Sequence, residues 1–209
     1  MMRQRTSLSQ EPTTRQPNPA VVTNRGQAKK ARKRKRKNDP HFDLRTALYQ
    51  TCGVDLTQIE GIDVLTAQTI LSEIGTDMSR WPAVKHFCSW LGLSPNNKIT
   101  GGKVKGRATN KVDSRANQAL RMAAQSLARS DSALGAFYRR IRAKHGAMKA
   151  NVATAHKLAR IIYSMLKNQV PFHDPGADYY EQQYRQRAIK NLQRKARKLG
   201  LEVTEPTAT

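Results

Sequence analysis

Acidic residues are scarce in this chain: Asp and Glu total 15 against 38 Lys and Arg, a formal net charge of +23 over 209 residues. Such an excess is costly for a protein that works alone in water, and it implies a polyanionic partner. A catalytic centre built from converging carboxylates is also hard to assemble. Asp55, Glu60, Asp63, Glu73, Asp77, Asp113 and Asp131 are scattered over turns and helix ends, so no metal site is assigned to this chain.

Cysteine is nearly absent. Cys52 and Cys88 are far apart and have no His or Cys at ligand spacing, which excludes a disulfide framework and a zinc module and leaves two reduced thiols. Long hydrophobic runs are missing too, since nothing approaches the roughly 18 apolar residues of a membrane span. The N-terminal MMRQRTSLSQEPTTRQ lacks the apolar block of a secretion signal. Nucleic acid therefore fits the charge better than a membrane, and the expected location is cytoplasmic and nucleoid-associated. A Walker loop is lacking as well: TGGKVKG has neither the spacing nor the preceding apolar strand. Strand-like alternation of any length is not seen, so the expected fold is mainly α.

The chain begins with a tail. Residues 1–40 are rich in Gln, Pro, Thr and Asn and poor in large apolar side chains, so they cannot recover the entropy of ordering and are expected to be disordered. Within them the run Lys29, Lys30, Arg32, Lys33, Arg34, Lys35, Arg36, Lys37 repels itself when free. Laid along phosphates it would release counterions, giving strong, sequence-blind, salt-dependent binding.

Residues 41–172 read as one helical domain and 173–209 as a basic C-terminal helix and tail. FDLRTALYQTCG places Leu44 and Leu48 on one face and stops at Gly53. In LTQIEGIDVLTAQTILSEIG, Gly61 makes a turn, Asp63 caps the next helix, and Ala67, Ile70, Leu71 and Ile74 form a buried stripe before Gly75. This helix, turn and helix looks like the helix-hairpin-helix element of DNA repair proteins, whose turn presents N–H groups to a phosphate. A plain helical hairpin fits as well, because Asp63 would repel phosphate.

Further on, Val84, Phe87, Cys88 and Leu91 share a face, and an alanine-rich stripe from Ala116 to Leu127 allows close helix packing. Ser132 starts a helix with Phe137, Tyr138 and Ile141 inside. Val152, Ala155, Ala159, Ile162 and Leu166 mark a central buried helix. His156 lies beside that stripe and, with no acidic or cysteine partner near in sequence, reads as a boundary residue rather than a catalyst.

Between these helices lies NKITGGKVKGR, a glycine-rich basic loop. Glycines let a backbone approach a phosphodiester, and Lys103, Lys105 and Arg107 can steady its charge. A hydroxyl at Thr100 could attack phosphorus, or the loop could hold phosphate without chemistry.

The segments VDLTQIEGIDVLTAQTILSEIGTDMSRWP, SWLGLSPNNKITGGKV and ALRMAAQSLARSDSALGAFYRRIRAKHGAMKANVATAHKLARIIYSMLK closely resemble the C-terminal half of transposases of the insertion-sequence 110/116/902 family, over about Phe42 to Tyr184. The resemblance implies a DNA recombinase guided by a structured RNA. It further implies a RuvC-like N-terminal half holding Mg²⁺ and a helical C-terminal half supplying the nucleophile from a serine-glycine-glycine motif. Here the motif reads Thr100, Gly101, Gly102, so Thr100 matches the catalytic position and the two glycines the nucleic-acid-binding ones. No RuvC-like half precedes it in this sequence, and Mg²⁺ is expected only with that half. The expected partners are DNA, a guide RNA, and a homo-oligomer or a separate RuvC-like half. On this reading the chain is a transposase fragment acting in DNA transposition, inactive alone, or a non-catalytic regulator or remnant of the element.

Overall fold

The computed structural model describes residues 40–203, and the cationic run Lys29–Lys37 lies outside them. Seven α-helices and one β-hairpin succeed one another in chain order among the described residues: α1 (Leu44–Cys52), α2 (Val64–Ile74), α3 (Val84–Trp90), β1 (Pro95–Thr100), β2 (Lys103–Thr109), α4 (Arg115–Ser126), α5 (Ala133–His145), α6 (Ala147–Asn168) and α7 (Gly176–Lys198). The fold is mainly α.

The scarce carboxylates explain where several helices begin. Asp43 accepts from the backbone N–H of Thr46 at the start of α1, and Asp63 does the same for Thr66 at the start of α2. Each satisfies a donor that the first helical turn leaves without an internal partner. Hydrogen bonds from Thr46 and Ser79 hold Asp43 and Asp77 below the usual carboxylate range. At the other end of α1, Gly53 takes the left-handed conformation (φ 78°) and returns its N–H to the carbonyl of Tyr49.

Helix α6 lies at the centre of the core. Ala155, Leu158, Ala159 and Ile162 are fully buried along it, and it packs against α3, α4 and α5. A fully buried Leu or Ile stabilises by about 1.5–3 kcal/mol. The small residues of α4, Ala116, Ala123 and Ala124, are buried and let α2 and α6 approach closely. Trp81, Phe87 and Tyr163 close one end of the core with ring centroids 4.9 and 5.6 Å apart, and the Tyr163 hydroxyl donates to the Trp81 carbonyl at 2.8 Å.

Three expectations shift in detail. On α5 the buried residues include Leu134, Gly135, Ala136 and Tyr138, whereas Phe137 and Ile141 are half-buried. A Cβ at Gly135 would lie 2.2 Å from the Ser130 carbonyl oxygen, so this helix packs against the preceding 3-10 turn by backbone rather than by large side chains. The first helix expected around Gly61 is a single 3-10 turn, Leu56–Gln58. The third is the loop over 95–109, which is a β-hairpin. Pro95, Asn96, Asn97, Ile99, Thr100, Lys103 and Lys105 are exposed and most of them are polar, so no long apolar alternation marks the strands, and the Gly-Gly turn is their one sequence signal.

Helix α7 is docked only at its beginning, where Tyr180 packs with Ala133 and Ala136 of α5. The Arg140 guanidinium pairs with Glu181 and lies 3.3 Å from the Tyr184 ring centroid. Beyond this, the helix exposes Lys190, Arg194, Lys195, Arg197 and Lys198.

Candidate functional site: the Thr100 hairpin

The hairpin rises from a clamped base. At its entry, Gly92 (φ 66°) approaches the outgoing chain so closely that a Cβ there would lie 2.8 Å from Val112 Cγ2, which is why glycine is required. Asn117 of α4 donates its side-chain amide to the Leu91 carbonyl. At the exit, Ser114 caps α4, and Asn96 on β1 donates to Asn110 at 2.9 Å. Beyond this base the two strands pair with each other and touch the helices only marginally. Ile99 is 62% exposed for that reason.

The register pairs Thr100 with Lys103, Ile99 with Val104, and Asn97 with Arg107, with an irregularity between Lys98 and Ile99. Gly101 and Gly102 form the two-residue turn, with φ of 56° and 73°. Positive φ at both positions is what a type I′ turn needs, and glycine adopts it without steric cost. A Cβ at either glycine would meet nothing within 4 Å, so the backbone at the tip is open for a partner to approach.

Of the candidate residues, the structure brings together Thr100, Gly101, Gly102, Lys103 and Lys105, all exposed. Thr100 stands directly across from Lys103, and Lys105 is the extra residue of the bulge, skipped between Val104 and Gly106, so strand alternation does not assign it a face. Arg107 belongs to β2, comes after the bulge and pairs with Asn97. Lys29 to Lys37 lie outside the described residues.

Chemically, the tip offers a hydroxyl, two lysines and open backbone, and little to activate the hydroxyl. The Thr100 hydroxyl makes no hydrogen bond among the described residues, where a threonine nucleophile needs an adjacent base or metal. Among the described residues no group of three or more His, Cys, Asp or Glu is placed to hold a metal ion, and Mg²⁺ does not fit the side chains around the tip. Several carboxylates are committed to structure: Asp55 to Arg45, Glu73 to the N-terminus of α4, and Asp174 to that of α5.

The Gly61 turn is built differently from the Thr100 tip. A Cβ at Gly61 would lie 2.8 Å from the Ala123 carbonyl of α4, so close helix packing accounts for that glycine. The Asp63 carboxylate occupies the N-terminus of α2. His156 is half-buried, and burial, then the neighbouring Arg160, holds its pKa below the ordinary imidazole value.

The model of the transposase IS116/IS110/IS902 family matches residues 53–139. That stretch runs from the residue after α1 into α5 and contains the whole hairpin. The match covers less than half of the chain, and over it the chain is similar to this transposase family. The chain is also 28% identical over 118 residues to an insertion element IS110 uncharacterized 43.6 kDa protein of Streptomyces coelicolor, an alignment covering 54% of this chain. It spans 28% of that relative's length. Among the described residues no helix is long and apolar enough to cross a membrane.

What sequence reasoning missed here is the supporting shell. Glu73 reads only as one of the scattered acids, and no local signal marks the contacts that Glu73 and Asn117 make across tens of positions. The strands do carry a signal, the Gly-Gly pair, but it fits a loop equally well.

Proposed function

We propose that the chain binds DNA as part of a transposition system, with the Thr100 hairpin laid against the phosphate backbone. The observation that carries this reading is the tip itself: Thr100 and Lys103 face one another at the open end of a cationic ribbon inside the family-matched segment. Gly101 and Gly102 permit close approach of the backbone, Lys103 and Lys105 neutralise phosphate charge, and Arg107 adds to the strand's positive potential. Thr100 occupies the nucleophile position. The tail run Lys29 to Lys37 adds sequence-blind affinity.

Strand transfer by this hydroxyl needs an activating group, which in the present reading comes from a separate RuvC-like half bringing carboxylates and Mg²⁺. The alternative, a non-catalytic nucleic-acid-binding regulator of transposition, is favoured by one observation: the Thr100 hydroxyl has no activating neighbour among the described residues. A structured guide RNA and self-association complete the proposed partners.

The test is incubation of the pure chain with supercoiled DNA and Mg²⁺. Binding without cleavage is expected, unchanged by Thr100→Ala. Cleavage that Thr100→Ala abolishes would show a self-sufficient nuclease and overturn the requirement for a second half. Absence of DNA binding would remove the whole reading.

A further inference from the structure

A second site lies away from the hairpin. Helices α5, α6 and α7 enclose a cleft of about 530 Å³, within the size range of small-ligand pockets. Helix α6 contributes His156, Lys157 and Arg160 to its wall, and α7 contributes Tyr179 and Arg187. All of these lie beyond the family-matched residues.

The charge in this cleft is unbalanced. Arg160, Arg187 and Lys157 form no ion pair among the described residues. The acids nearby are engaged: Glu181 pairs with Arg140, and Asp174 receives the Ala133 N–H. Burial pushes the Lys157 pKa down, and the adjacent Arg187 and Arg160 push it further, with Asp174 the weaker opposing influence. Lys157 is half-buried, whereas Arg160 and Arg187 are exposed; gathering like charges around it costs free energy, and an anion placed among them turns the repulsion into attraction.

The aromatic content is as specific as the charge. The Lys157 ammonium lies 4.5 Å from the Phe137 ring centroid and 5.3 Å from that of Tyr180, so those two rings are occupied. Tyr179 is different: it lines the cleft, is 52% exposed, and has no ring or cation partner among the described residues. A flat, open aromatic beside unpaired guanidiniums matches a ligand that is planar at one end and anionic at the other.

We propose that this cleft binds one unpaired nucleotide of a nucleic acid strand, with its phosphate between Arg160 and Arg187 and its base stacked on Tyr179. Guanidinium forks suit phosphate oxygens, and stacking accepts any base. A duplex keeps its bases stacked internally and cannot use the tyrosine, so the site discriminates single strands from paired ones.

The test uses the full chain and three labelled probes at one salt concentration: a short oligothymidine, a short oligouridine and a DNA duplex of equal length. Tyr179→Ala should weaken binding of the unpaired probes roughly 5- to 100-fold and leave duplex affinity as it was, while Tyr179→Phe should bind like the parent. Arg160→Gln with Arg187→Gln should weaken the same probes. Loss with oligothymidine alone identifies a DNA strand as the occupant, loss with oligouridine alone an RNA strand, and loss with both a site blind to the sugar. Unchanged affinity for both unpaired probes, or equal losses on unpaired and duplex probes, would overturn the proposal and leave the cleft as a face for an acidic protein. Neither result bears on the hairpin, which none of these substitutions touches.

Discussion

The Glu73 carboxylate of α2 accepts the backbone N–H of Ala116, at the start of α4, at 2.7 Å. It thereby satisfies one of the free donors of that first turn, and it fixes the point where the chain returns from the hairpin. The relationship is long-range, spanning 43 residues, and it holds the domain's catalytic candidate to its core. Replacing Glu73 by Ala is expected to cost about 1–2 kcal/mol of stability, the usual cost of removing a cap or hydrogen bond. Glu73→Gln keeps an acceptor and should lose less. Urea denaturation of the three proteins measures the difference.

The hairpin tip should be separable from the fold. Val at Gly101 would be forced to positive φ, at a cost of about 1–2 kcal/mol for that residue, but the strands touch the helices only marginally. Thermal unfolding of Gly101→Val is therefore expected to match the parent closely, while its affinity for duplex DNA falls. A large drop in melting temperature would mean that the hairpin supports the core after all.

Burial in the core pushes the Cys88 thiol up to about 11, with Arg160 opposing weakly. The folded state therefore keeps the proton more tightly than the unfolded chain, whose thiol titrates near 9.0. The stability this provides is complete below that value and declines as pH rises from about 9 towards 11. Cys88→Ala should flatten this alkaline decline. Titration with a thiol reagent at neutral pH should modify neither buried cysteine until denaturant is added.

Much of the helical scaffold was legible because its signals are local. Asp63 and Ser132 announce helix starts, Gly53 and Gly75 announce ends, and the stripe Ala155, Ala159, Ile162 and Leu166 marks the most buried helix. The hairpin was not legible, because Asn97, Thr100, Lys103 and Lys105 are polar on a ribbon that faces solvent, and a strand without a buried face has no hydrophobic period. The cleft was invisible for another reason. Arg160 and Arg187 belong to different helices, and only the docking of α7 onto α5 brings them to one wall. For the candidate site, composition pointed to phosphate affinity, whereas the role of Thr100 rested on resemblance.

The central claim is that Lys103 and Lys105 on the hairpin touch DNA phosphates. The most direct measurement is duplex affinity as a function of salt for the parent chain and for Lys103→Ala with Lys105→Ala. Removing one lysine–phosphate pair should lower the steepness of log affinity against log salt by about 1, so the double variant should bind more weakly and with a slope shallower by about 2. Equal slopes and equal affinities would place the DNA elsewhere on this basic chain and contradict the account.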